Sequence, residues 1–251
     1  MKSVPSTSLP LVILMMCCFT MHGAVYYVSP AGSDTRGAGT LEKPWRTVLQ
    51  GINRMSASDI LYLRGGLFEE NAIPHSAWNG KSGASVERPT RIVGYPGEAP
   101  VFRPTNNVSS GHGMYLINQS NLWFEGFCID ASHLYGVLDN ANSALAFQGA
   151  RNVTVTNMTL ANIPRGNGIM MFDSSTQRHS NVRLVNNLIT NWGYALTFRS
   201  DGTRDYIPWA IYMRCGDNAV VRGNVAEGPV RGYDLDSRGY AYSRNVGGYV
   251  A

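Results

Sequence analysis

From about residue 111 onward the chain repeats one pattern, and that pattern limits the fold more than any other feature. Five short runs open a unit: 113–118 (GMYLIN), 143–148 (SALAFQ), 168–173 (GIMMFD), 210–215 (AIYMRC) and 232–237 (GYDLDS). Each is followed, after a short turn, by a second alternating run: 121–126, 152–157, 181–186, 218–223 and 239–244. A third short run, such as 158–160 or 187–189, follows most of them. Repeated units that cannot bury an apolar face alone must stack on their neighbours. Three short strands per unit, irregularly spaced, predict an all-β solenoid, a parallel β-helix in which each unit makes one coil.

The alternation assigns faces, because successive strand side chains point to opposite sides. In the second runs the inward pairs are Leu122/Phe124, Val153/Val155, Val182/Leu184, Ala219/Val221 and Tyr240/Tyr242. The following turn carries Asn157, Asn186 or Asn187, Asn224 and Asn245. Asparagine tolerates left-handed backbone, and stacked amides can hydrogen-bond from coil to coil. An antiparallel sandwich shares the alternation but has no reason to repeat one residue type at one turn.

The first 110 residues read differently. Tyr26–Val28, Ile60–Leu63 and Arg91–Tyr95 are predicted strands. Between the first two, Trp45, Val48, Leu49 and Ile52 fall on one face of a predicted helix over Trp45–Met55, with Pro44 near its start. Such a helix would cap the first coil of the solenoid. The predicted organisation is therefore residues 25–110 as cap and first coils, continuous with coils over 111–251.

Residues 1–24 read as a signal peptide. Lys2 supplies the positive start, Leu11–Phe19 the short apolar stretch, and Gly23 and Ala24 the small residues for cleavage. The apolar stretch is too short to span a bilayer, so the mature chain is expected to be secreted or periplasmic. Cys128 and Cys215 then remain. An oxidising compartment would allow them to pair, although both lie in apolar runs that suit buried free thiols.

Charge narrows the partners. The net charge is +4, yet only three of the 21 basic residues are lysine: Lys2, Lys43 and Lys81. No basic cluster marks a nucleic-acid surface. Arginine suits bidentate pairing with carboxylates, which is compatible with an acidic polysaccharide.

Four segments in order then resemble a known group: 27–34 (YVSPAGSD), 39–47 (GTLEKPWRT), 59–66 (DILYLRGG) and 91–101 (RIVGYPGEAPV). They resemble the N-terminal region of right-handed parallel β-helix proteins of the pectate-lyase-like superfamily, including pectate lyase and chondroitinase B-like members. The resemblance implies a right-handed solenoid over residues 25–251 and a saccharide substrate. It does not choose among the lyases, hydrolases, epimerases and tailspikes of that superfamily.

In such a solenoid the outward side chains of one stacked sheet form the substrate groove. Alternation in the first runs predicts two outward columns. One is Tyr115, Leu145, Met170, Tyr212, Asp234; the other is Ile117, Phe147, Phe172, Arg214, Asp236. The longest excursion, 191–209, adds Trp192, Arg199, Arg204, Asp205 and Trp209. Rings that stack on pyranose faces, mixed with groups that hold hydroxyls or carboxylates, suit a sugar-binding lip. The expected substrate-binding set is Tyr212, Phe172, Trp192, Arg199, Arg204, Asp205 and Trp209.

For a β-eliminating lyase, a base removes the proton α to a uronate carboxylate while a cation neutralises that carboxylate. The resemblance implies an arginine or lysine base and often calcium. The expected catalytic residues are Arg214, Asp234 and Asp236, with Asp234 and Asp236 also holding Ca2+. Two alternatives stay open: a non-catalytic carbohydrate-binding or surface-structural β-helix, and a glycoside hydrolase using Asp234, Asp236 or Asp205. The last coil has no polar cap after it, which leads us to expect a truncated chain or a last coil covered by another chain.

Overall fold

A computed structural model describes residues 23–105, 111–134, 142–164, 166–192, 209–213 and 217–227. The described strands form three parallel sheets. The first holds β1 (Val25–Val28), β2 (Ile60–Leu63), β4 (Thr90–Gly94), β7 (Ser120–Glu125), β10 (Arg151–Thr156), β13 (Arg183–Val185) and β16 (Val220–Arg222), in that spatial order. The second holds β3 (Gly66–Glu70), β5 (Pro100–Pro104), β8 (Cys128–Asp130), β11 (Thr159–Ile163), β14 (Leu188–Trp192) and β17 (Val225–Glu227). The third holds β6 (His112–Ile117), β9 (Asn142–Gln148), β12 (Gly166–Phe172) and β15 (Ile211–Met213). From β6 onward the chain visits the third, first and second sheets in turn and then repeats, with every strand pair parallel. This is a parallel β-solenoid.

The interior consists of registered columns. In the first sheet Leu61, Ile92, Phe124, Val155, Leu184 and Val221 lie directly above one another. The second sheet contributes Phe68, Phe102, Ile129, Leu160 and Ile189. The third contributes Met114, Leu145, Ile169 and Ile211, and beside them Leu116, Phe147, Met171 and Met213. All but Val221 are buried. Each fully buried side chain of this size contributes about 1.5–3 kcal/mol, so the columns drive stacking.

The inward pairs Leu122/Phe124, Val153/Val155 and Val182/Leu184 are buried as the alternation predicts. Ala219 is exposed and Val221 only partly buried, at the end of the described coils. Tyr240 and Tyr242 lie outside the described residues.

The asparagine turn resolves into two positions. The turn between first and second sheets places Gly126, Asn157, Asn186 and Gly223 at positive φ (74°, 52°, 56° and 67°). One residue later, the buried Asn187 donates from Nδ2 to Val155 O and Asn224 Oδ1 and accepts from Met158 N. A second ladder opens the first-sheet strands. Asn152, Asn181 and Asn218 each donate from Nδ2 to the Oδ1 of the preceding coil's asparagine, starting at Asn121, at 2.8, 2.9 and 3.1 Å.

The region before residue 110 contributes real coils, because β1, β2 and β4 continue the first sheet and β3 and β5 the second. The helix is shorter than expected. It runs Val48–Arg54, capped by Thr47, whose hydroxyl accepts from Gln50 N at 3.1 Å. Trp45 lies outside it, bridging Val28 in extended backbone, with its ring buried. Val48 and Ile52 are buried as predicted. Among the described residues no helix is long and apolar enough to cross a membrane.

Candidate functional site

The third sheet turns one face inward and one outward, and its register determines which side chains share the outward groove. β6 and β9 pair Met114 with Leu145, Tyr115 with Ala146, Leu116 with Phe147 and Ile117 with Gln148. β12 then aligns Met170 with Ala146 and Phe172 with Gln148, and β15 aligns Tyr212 with Met170. The outward columns are therefore Tyr115, Ala146, Met170, Tyr212 and Ile117, Gln148, Phe172.

This corrects the predicted columns in one coil. Leu145 and Phe147 point inward and are fully buried. The slip has a physical cause. A one-residue shift moves every side chain of a strand to the other face, and the run 144–147 (ALAF) is buried on both faces, so alternation cannot orient it. Ala146 is 0% exposed although it faces outward, because its methyl lies between the larger Tyr115 and Met170. Gly113 makes the true alignment possible: a Cβ there would meet Ala144 O at 2.6 Å.

Tyr115, Ile117, Gln148, Met170, Phe172 and Tyr212 are all half-buried, so the outward face between them, here termed the trough, is mostly apolar. The Tyr115 hydroxyl donates to Gln148 Oε1 at 2.6 Å. Burial raises the phenol's pKa, so it stays a donor. The trough is closed at the first coil by a loop. Ile73 N donates to Gly113 O at 2.8 Å and Ile73 O accepts from Tyr115 N at 3.1 Å, which covers the free edge of β6. The same loop brings His75, at the start of a 3-10 turn (His75–Trp78), against Tyr115 with ring centroids 5.8 Å apart. His112 lies 4.7 Å from the same ring. Its buried imidazole is pushed down to about 4 by desolvation, hence neutral near pH 7. His75, His112 and Gln148 were not expected at the site. No residue spacing signals the loop contact, and the register slip hid Gln148.

At the far end of β12, Asp173 accepts from His179 N at 3.0 Å, and Arg178 Nε lies 3.5 Å from it. Desolvation alone would raise the Asp173 carboxyl, but the His179 N–H and the neighbouring positive charges outweigh it and hold the pKa low. His179 Nδ1 is 2.9 Å from Asp173 Oδ1 without the geometry of a hydrogen bond, and burial lowers this imidazole's pKa. These contacts tie together the turn that follows β12.

Of the expected binding residues, the structure brings Phe172 and Tyr212 together on the outward face. Trp209 stands just before β15, its backbone N–H donating to Asn167 Oδ1 at 2.8 Å. Trp192 ends β14 in the second sheet, opposite Ile163, and packs against the core instead of lining the trough. Arg199, Arg204, Asp205, Arg214, Asp234 and Asp236 lie outside the described residues, as does Cys215. Cys128 is half-buried, and desolvation pushes its thiol up to about 11. Among the described residues no group of three His, Cys, Asp or Glu side chains is placed to hold a metal ion.

No protein-family model and no curated protein matches the sequence. Solved structures do match the fold. A rhamnogalacturonan lyase superposes with a TM-score of 0.62 at 19% identity, over 81% of this chain and 51% of that one. A GH136 lacto-N-biosidase from Eubacterium ramulus superposes with a TM-score of 0.52 at 16% identity, over 67% of this chain and 35% of that one. The chain thus spans about half the length of the first and about a third of the second. These matches show the fold alone, a parallel β-helix.

Proposed function

We propose that this protein acts on an acidic polysaccharide laid along the outward trough of the third sheet, and that it does so by β-elimination. The observation that carries this reading is the column Tyr115, Ala146, Met170 and Tyr212, flanked by Ile117 and Phe172, in which every side chain but that of Ala146 is left half-exposed on a sheet face. Contiguous apolar surface of this kind on a folded domain marks a binding face. Ring faces are the usual partners of pyranose rings, and Gln148 adds a polar group that can orient hydroxyls. The two solved structures described above bear names denoting action on saccharides, which supports the substrate class.

The chemistry beyond binding rests on the sequence. Arg214 would serve as base, and Asp234 and Asp236 would hold Ca2+, which would neutralise the uronate carboxylate and acidify its α-proton. Arg199, Arg204 and Asp205 would form the lip over the trough with Trp209. We also infer export directed by residues 1–24, right-handed coils in line with the general hand of parallel crossovers, and helix Val48–Arg54 as the cover of the first coil.

The test is ultraviolet absorbance on a panel of uronate polymers, with and without a calcium chelator. Unsaturated product that disappears with chelator is expected. New reducing ends without unsaturation would replace elimination with hydrolysis, and binding without either product would leave a carbohydrate-binding β-helix.

A further inference from the structure

The outer face of the first sheet carries a cleft, on a different sheet from the trough. Registered along this face are Arg91, Trp123, Thr154, Arg183 and Val220. Thr154 is small and stands between an indole and a guanidinium, opening a groove of about 510 Å³ that Trp123, Thr154 and Arg183 line together with Asn152, Asn181 and Pro89.

The groove is built rather than incidental. Arg91 stacks over one side of the Trp123 ring, 5.4 Å from its centroid, and the register puts Thr154 on the other side. The indole N–H donates to Glu125 Oε2 at 2.8 Å, which fixes the ring's orientation. Arg91 also pairs with Glu125 at 3.2 Å, so the carboxylate nearest the ring is already neutralised. Arg183 is exposed and has no ion-pair partner among the described residues. One wall of the groove is the Asn152–Asn181–Asn218 amide ladder, whose spine is held by its own hydrogen bonds.

A fixed ring, a small gap and an exposed cation two strands further on, roughly 10 Å by strand spacing, match one ligand chemistry: a pyranose bearing a carboxylate. The ring would accept its apolar face and Arg183 its charge. We propose that this cleft is a second saccharide site, specific for a uronate residue, that holds the polymer away from the trough. It goes beyond the activity proposed above and does not depend on which chemistry the trough performs.

The indole N–H resonance of Trp123, assigned by its loss in Trp123→Phe, reports this site alone. Digalacturonate and a glucuronate disaccharide are the acidic probes, and a neutral digalactoside is the control. A saturable shift with at least one acidic probe is expected, weakened about fivefold in Arg183→Gln, the worth of one exposed charge pair. Thr154→Phe, which fills the gap, should abolish it, while Leu67→Ala on the exposed second-sheet face should leave it unchanged. The site is overturned if neither acidic disaccharide shifts the resonance, if the neutral one shifts it equally, or if Arg183→Gln has no effect. Because the resonance lies outside the trough, a failed lyase assay and a failed titration remain separate results.

Discussion

The Tyr115 hydroxyl donates a 2.6 Å hydrogen bond to Gln148 Oε1 in the next coil, across the floor of the third-sheet trough. It joins the first two coils of that face and fixes the direction of the phenol. A net hydrogen bond of this kind is worth about 1 kcal/mol. Tyr115→Phe should therefore lower unfolding free energy by about 1 kcal/mol in urea. A double-mutant cycle with Gln148→Ala should recover a coupling of the same size; additive effects would show the bond to be idle.

Glu70 predicts an unusual pH dependence. Its carboxylate accepts from Val48 N at 2.7 Å and Leu49 N at 3.1 Å, at the start of the helix. Desolvation nevertheless dominates and pushes its pKa up from 4.5 to about 7. The folded state thus holds this proton more tightly than the unfolded one. Its stabilising contribution is full below about pH 4.5 and is lost as pH rises through about 7, by at most about 3 kcal/mol. Urea unfolding from pH 4 to 8 should show that decline relative to Glu70→Gln.

His112 acts with the opposite sign. Burial lowers its pKa from 6.5 to about 4, so the unfolded state binds the proton more tightly. Stability is present above about pH 6.5 and falls as pH drops toward 4. His112→Asn should flatten the acid side of the curve and leave the Glu70 decline in place. The imidazole resonances should stay those of the neutral ring at pH 5.5.

The asparagine ladder separates two effects at one residue. Asn152 sits at φ 53°, donates to Asn121 and accepts from Asn181. Asn152→Ala loses both bonds and leaves a Cβ residue in left-handed backbone, costing about 2–4 kcal/mol. Asn152→Gly loses the same bonds without that strain. Glycine should therefore be the less damaging substitution by about 1 kcal/mol in thermal or urea unfolding; equal losses would show that the backbone carries no strain there.

The repeat makes the solenoid and its inward pairs readable because Val153/Val155 and Val182/Leu184 alternate with the polar Thr154 and Arg183. Where both faces are buried, as at Ala144–Phe147, the alternation vanished and the register slipped by one. Trp45 shares a helical spacing with Val48, Leu49 and Ile52, yet it precedes the helix and bridges Val28. The asparagines at 121, 152, 181 and 218 stand at one phase in the sequence, but nothing local distinguishes their ladder from the asparagines of the turn. Phe172 and Tyr212 were legible as outward residues. The packing of Trp192 against the core is not legible, since an aromatic at a strand end reads the same whichever way it turns. The contact of His75 with Tyr115 joins positions forty residues apart and leaves no local trace.

The central claim is that the third-sheet trough holds the saccharide. The most direct measurement is calorimetric binding of a uronate oligomer, such as tetragalacturonate, to the wild type and to Phe172→Ala and Tyr212→Ala, in chelator to suppress turnover. Each ring's stacking is worth about 1–1.5 kcal/mol, so each substitution should weaken binding about tenfold with unfolding temperature little changed. Unaltered affinity in both variants would contradict the account and move the saccharide off this face.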